Sequence, residues 1–413
     1  MAKKDHSIWT VSLTNFLNSG AIVGGASGLS LWTKAFNLNS LQVGMLGAFS
    51  ANAFGAAIGA LIGGWLTDRW GRKIIYNYDM LVYLLGTLVV IFANDFGWLL
   101  TGFVITGLAV GAGIPASWSY AAETADDGHR AANIGISQFA WMVGPVVIFA
   151  LGTFLSPLGV AGARILFGVL TVVAFVTWRL QSRLPESNQW LAQKKQEKAA
   201  KQKPHPYREL FTNPVNIKSM LFLIGIYLFW NLVSGAMGFF MPYVYVQAGG
   251  LTNTQANMLQ VILWLGSATG TYFFFAKLGD HVSQRLLFAL GSLGEMIAWA
   301  ILTYGGMNWT CLILFVVIWG LGSGLGAQQF YSLWASELFP TKYRGSSQGV
   351  MFFTVYGASG IWSLVFPSLL AKFGLTMVGS MMIGLLAVSL LIGVIWTPKT
   401  QGKTLEQITK ERY

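Results

Sequence analysis

Gly64-Trp65-Leu66-Thr67-Asp68-Arg69-Trp70-Gly71-Arg72-Lys73 stands between two long apolar runs and gathers one acid and three cations into ten residues. The order makes chemical sense at a tight link: Gly71 permits the turn, Asp68 can accept from helix-end amides and from Arg, and the cations stay on one side of whatever the apolar runs cross. A weaker copy, Gly279-Asp280-His281-Val282-Ser283-Gln284-Arg285, follows at an offset of 212 residues, counted from Asp68 to Asp280. Glu123 with Arg130 returns as Glu337 with Arg344 at an offset of 214, and Pro185-Glu186-Ser187 as Pro398-Lys399-Thr400 at 213. Three markers at nearly one offset indicate a duplicated unit.

Between the markers lie apolar runs of about 20 residues, each long enough to cross a hydrocarbon core of about 30 Å. The chain has 413 residues, 54% hydrophobic and only 10% charged, with mean hydropathy +0.57. A soluble domain carries about 25% charge, so an ordinary soluble enzyme is excluded. A β-barrel is excluded too, because its segments alternate over about 10 residues whereas these runs are continuous. Spans are expected near 8–33, 42–66, 74–93, 98–122, 132–155, 161–179, 217–247, 254–276, 286–304, 310–336, 346–371 and 375–396. The fold class is therefore an all-α membrane protein with twelve transmembrane helices in two six-helix bundles. The expected divisions are an N-terminal bundle (1–179), a loop with short amphipathic helices (180–216), a C-terminal bundle (217–397) and a tail (398–413).

The net charge of +11 is a topology signal and not a nucleic-acid footprint. Of the 26 Lys and Arg, only Lys34, Arg164 and Lys372 fall on one face of the expected bundle. The positive-inside rule makes the other face, with both termini, cytoplasmic. The lysines of 180–216 then face water or lipid headgroups while Trp190 and Leu191 pack against the bundle. The first apolar segment lacks a small-residue cleavage site and reads as a retained span. Cys311, the single cysteine, sits in an apolar stretch, which leaves no disulfide framework or thiolate metal site. No cofactor is expected.

The 64–73 motif resembles the signature loop of the major facilitator superfamily, whose two parallel repeats enclose a midplane site. Glu337-Leu338-Phe339-Pro340-Thr341-Lys342-Tyr343-Arg344-Gly345, Leu184-Pro185-Glu186-Ser187 and Gly402-Lys403-Thr404-Leu405 make the chain similar to that superfamily's sugar porter branch. Aromatic-acid carriers share some of these elements; the Arg-Gly after the tenth span and the Gly-Lys-Thr-Leu tail favour sugar porters. The resemblance implies a monomeric plasma-membrane carrier of a monosaccharide or cyclitol, working by proton symport or facilitated diffusion. Asp68, Arg69, Arg72, Glu123, Arg130, Glu337 and Arg344 would then form the gate, as ion pairs that lock helix ends and release on opening.

Recognition of a polyol needs uncharged polar side chains beside an aromatic platform. Gln138, in Ser137-Gln138-Phe139-Ala140, is similar to a family element that contacts sugar hydroxyls. Asn231 stands where the family's seventh span has the first of two glutamines, and in the tenth span Gln328-Gln329 replaces the family's Gly-Pro and adds two amides, with Tyr331 and Trp334 as candidate platforms. Leu232, Met237 and Ser332 depart from the family pattern, which leaves hexose, inositol and other polyols open.

The resemblance fails informatively at energy coupling. Proton-coupled sugar porters carry an Asp in the first span and an Arg in the fourth; here Leu17-Asn18-Ser19 has no acid and Phe103 stands where the Arg would be. The intramembrane acids Glu295 and Asp79 are the remaining proton-coupling candidates. His6, His129, His205 and His281 all fall in expected cytoplasmic segments, which excludes a midplane imidazole relay. Among rivals, an aromatic or carboxylate carrier should place a cation deep in a span, and none is found. A membrane enzyme lacks clustered ligands or a nucleophile with its base. A nutrient sensor would carry a longer tail.

Overall fold

The computed structural model describes residues 2–124, 130–199 and 206–413, and the described residues form helices with no strand. In a bilayer an apolar run must satisfy its own backbone polar groups, so each continuous run becomes a helix. Nine helices are long and apolar enough to cross a membrane among the described residues. One of them, Thr341–Ile395, contains two spans that meet at Gly374, whose φ of 73° breaks the helical path. The first span is Ala2–Ala35, and the second is built from two pieces, Ser40–Ala48 and Phe54–Trp70, which brings the bundle to twelve.

Several spans are less regular than their hydropathy suggests. The second is interrupted at 49–53, the eighth ends in a π-helical turn, Thr271–Ala276, and the tenth divides into Trp309–Ser323 and Ala327–Glu337 around Gly324 and Gly326. Short helices Asn188–Ala199 and Pro206–Thr212 lie between the halves, and Leu405–Arg412 follows the last span.

Across the pseudo-twofold axis the first span packs on the seventh, the second on the eleventh, the fifth on the eighth and the fourth on the tenth. The third packs with the fourth and sixth, and the ninth with the tenth and twelfth, each inside its own half. The second and eleventh spans approach so closely that a Cβ on Gly64 would meet the Gly345 carbonyl oxygen. Two glycine backbones in contact make one of the two surfaces on which the halves close.

Candidate functional site

The 64–73 loop works because its acid reaches across the molecule. Asp68 Oδ1 accepts from the Gly345 N–H at 3.1 Å and Oδ2 from the Ser346 N–H at 2.6 Å, so a carboxylate of one half caps the eleventh span of the other. The helix dipole and the orphan N–H groups of a helix start both favour an anion there. Arg72 Nη1 lies 3.6 Å from Asp68 Oδ1, and Arg72 Nη2 meets Glu123 Oε1 at 2.6 Å. Arg344 Nη1, from the opposite half, reaches the same Glu123 oxygen at 3.1 Å. Ser187 Oγ donates to the other Glu123 oxygen, and Glu186 accepts from the N–H groups of Arg72 and Lys73 at 3.0 and 3.1 Å. Gly71 has φ +101°, and a Cβ there would strike the Glu186 carboxylate, so only glycine fits.

This arrangement refines the expected ion pairs. Spacing set Arg344 beside Glu337, seven residues earlier in its own half; the structure extends Arg344 to Glu123 of the other half, where both partners are buried. Glu337 is buried at the same face. The side chain of Arg130 lies outside the described residues. Arg69 is corrected: its guanidinium lies over the Trp65 ring at 4.9 Å on an exposed surface, because it sits one position from Asp68 and so turns about 100° away on the helix.

Above the lock, between the halves, is a cavity of about 30 Å³ lined by Ser19, Asn52, Trp141, Asn231, Gln328 and Tyr356 among others. A second lobe of about 20 Å³, lined by Trp230, Gln260 and Ser323, shares Ser234, Trp264 and Gln328 with the first. Such spaces hold a water or two, so a ring-sized solute requires the halves to part. On the side away from the lock they are closed by neutral contacts: Asn253 Nδ2 donates to the Ser27 carbonyl at 3.4 Å and to Ser156 Oγ at 3.2 Å, and Asn52 Nδ2 donates to the Gly235 carbonyl at 2.8 Å. Contacts thus cross between the halves at both ends of this space, charged at one end and through amides at the other.

Gln328 Nε2 donates to Gln138 Oε1 at 3.0 Å, joining the halves at the cavity. Gln138 Nε2 is buried without a partner among the described residues, as are Gln260 Nε2 and Trp264 Nε1. Gln260 and Trp264 line the cavity, whereas Gln138 lines neither lobe and stands behind Gln328; the two lining donors favour a ligand rich in acceptors, since an unmade buried hydrogen bond is costly. No Lys, Arg or His lines either lobe. Asn231 lines the cavity and donates to Ser359 Oγ at 2.8 Å.

Three sequence candidates lie elsewhere. Trp334 packs among Phe222, Phe288 and Phe330 and donates to Gln284 Oε1 at 2.7 Å, inside the C-terminal half. Gln329, one residue beyond Gln328 and so on another face of the helix, donates to Thr271 Oγ1 at 3.2 Å. Tyr331 stacks on Tyr227 at 4.3 Å and meets Trp118 of the other half edge-on at 6.0 Å. The aromatic walls are instead Trp141, Trp264 and Tyr356, with Trp230 and Trp319 in the second lobe. A usable signal existed: Trp141 follows Gln138 by three residues and Trp264 follows Gln260 by four, which puts each indole on the face of its amide.

Similarity to known proteins agrees with this architecture. The family model described as Major Facilitator Superfamily matches residues 8–364. The chain is 43% identical over 407 residues, 97% of its length and 92% of the relative's, to the minor myo-inositol transporter IolF of Bacillus subtilis (strain 168). It is 29% identical over 323 residues, 76% of its length and 74% of the relative's, to the 3-(3-hydroxy-phenyl)propionate transporter of Escherichia coli (strain K12). Its fold matches that of the proton:xylose symporter XylE bound to 6-bromo-6-deoxy-D-glucose, with TM-score 0.81, 19% identity and coverage of 98% and 99% of the two chains.

Proposed function

The chain belongs to the major facilitator superfamily, and from that premise we propose that it carries a neutral polyol, a cyclitol of the myo-inositol type or a monosaccharide, across the plasma membrane. The basic face is cytoplasmic in this reading, with both termini on it. Each copy encloses a whole cavity between its own halves and acts as a monomer. The two six-helix bundles rock about that cavity, so that the Asp68, Glu123 and Arg344 contacts hold the cytoplasmic side shut while the Asn253 and Asn52 contacts release the other, and then exchange roles.

The observation that carries the substrate class is the cavity itself. Gln328 lines it and is held from behind by Gln138 of the other half, Gln260 and Trp264 present free donors to it, and Trp141 and Trp264 supply indole walls. Hydroxyl oxygens satisfy such donors, and indole faces cover the C–H face of a ring. The similarity to a myo-inositol transporter supports the same class. A carboxylate substrate has no cation to meet it there.

The test is thermal stability of the detergent-purified protein against hexoses, pentoses, inositols, sugar acids and aromatic acids. A ligand at 100 times its dissociation constant stabilises by about 2.7 kcal/mol. A shift confined to neutral polyols and lost in Gln138→Ala is expected. A shift confined to carboxylates would overturn the substrate class.

A further inference from the structure

Each half of the molecule buries one acid in a matching niche. A Cβ on Gly113 of the fourth span would lie 2.9 Å from Asp79 Oδ2 of the third, and one on Gly326 of the tenth would lie 2.8 Å from Glu295 Oε1 of the ninth. Gly113 and Gly326 are 213 residues apart, the offset that separates the repeated loops. Duplication has therefore placed an acid of each outer helix against a glycine of the same inner helix.

The two niches differ in what else reaches the carboxylate. Asp79 Oδ1 accepts only from the neighbouring Met80 N–H, at 2.6 Å, among the contacts of the described residues, and no residue lining the cavity bonds to it. Glu295 Oε1 accepts from Trp230 Nε1 at 2.8 Å, and Trp230 lines the second lobe of the cavity. The other Glu295 oxygen is buried without a partner among the described residues. One indole thus stands between this acid and the binding site.

Among the described residues no cation pairs with Glu295. On its own helix Arg285 and Tyr304 are ten and nine residues away; the seventh span offers Tyr227 beside Trp230 and, twelve residues from Trp230, Lys218. The tenth offers Tyr331, Cys311 at its far end and Glu337 at the basic end; the eighth offers Tyr272, and the twelfth has no titratable side chain within 375–395. A lone carboxylate at this depth is expensive while charged, so the closed molecule is crossed most cheaply with a proton on it.

We propose that Glu295 carries the coupling proton of this transporter and that its bond to Trp230 ties protonation to the polyol cavity. The proposal rests on the polyol reading above. The carboxylate takes one proton when the cavity opens outside, becomes a neutral carboxylic acid through the closed state, and returns the proton to the cytoplasm; no bond of the solute changes. Ionised, Glu295 holds the indole N–H by a charge-assisted bond; protonated, it holds the indole more weakly and Trp230 is released to pack on the ring. Asp79 lacks this connection and serves as the control.

The experiment uses the full chain in liposomes loaded with a pH-sensitive dye, with myo-inositol added outside and counterflow of labelled myo-inositol measured in parallel. The wild type is expected to acidify the lumen on addition of myo-inositol; Asp79→Asn is expected to do so as well; Glu295→Gln is expected to show counterflow without acidification. In Trp230→Phe, which keeps the acid and removes the N–H that favours its ionised form, the pH at which counterflow is half-maximal is expected to move upward. Counterflow without acidification in the wild type, or acidification retained in Glu295→Gln, would overturn the assignment while leaving the polyol reading intact. An unmoved pH profile in Trp230→Phe would overturn the link to the cavity. Absence of wild-type counterflow would overturn the polyol reading and this proposal with it.

Discussion

Asp68→Asn should open the basic face, and the structure sets the size of the effect. Both hydrogen bonds of the Asp68 carboxylate to Gly345 and Ser346 cross between the halves, so they exist only while that face is closed. The substituted amide keeps one acceptor oxygen and turns an N–H₂ group toward the second backbone N–H. One bond to a charged group is lost, about 1.5–3 kcal/mol, and the favourable charge at the helix start goes with it, about 0.3–1 kcal/mol. Arg72, 3.6 Å away, belongs to the same half as Asp68, so its pairing is largely common to the open and closed forms and cancels. A net bias of about 2–4 kcal/mol follows, a change of roughly 30- to 700-fold in the closed-to-open ratio at tenfold per 1.4 kcal/mol. Spin labels at the exposed positions Lys73 and Lys218, on opposite halves, report that ratio by pulsed distance measurement after Cys311→Ser removes the native thiol. Growth of the long-distance population is expected. A change below about threefold would show that the interhelical cap does not hold the face shut.

Gly71→Ala should lower thermal stability by at least about 1–2 kcal/mol, because an L residue is forced to φ +101° and the Glu186 carboxylate must leave the Arg72 and Lys73 amides; an unchanged unfolding midpoint would contradict this. Trp334→Ala should destabilise by about 3–5 kcal/mol yet leave the polyol-induced thermal shift in place, since the indole fills the C-terminal half and not the cavity. Asn253→Ala should favour opening at the face away from the lock by about 1 kcal/mol through loss of its bonds to Ser27 and Ser156, read as faster labelling of a cysteine placed at Asn257.

Hydropathy made the helices legible, and the repeated markers made the two halves legible, because both are local patterns. The partners of the markers were not. Asp68 and Gly345 are 277 residues apart, and nothing in either segment says that the acid of one half caps a helix of the other. The Glu123 and Arg344 contact was hidden for the same reason: a spacing of seven suggests a pair within a half, whereas closure across the axis brings the guanidinium to the opposite carboxylate. The break in the tenth span escaped because Gly324 and Gly326 lie inside apolar sequence, where a gap in the helix leaves hydropathy unchanged. Trp334 was misplaced by composition alone. It is aromatic and near Gln328, but six residues further along a helix points elsewhere, and two of the indoles that wall the cavity, Trp141 and Trp264, are in phase with Gln138 and Gln260.

The narrow space between the halves is read as a neutral-polyol site. Counterflow of radiolabelled myo-inositol in liposomes, challenged with excess unlabelled solutes, tests it most directly. Accumulation of label is expected that is abolished by unlabelled cyclitols or monosaccharides, unaffected by aromatic or dicarboxylic acids, and strongly reduced in Gln138→Ala. Exchange of an aromatic or carboxylic acid in the same vesicles, with no polyol exchanged, would contradict it.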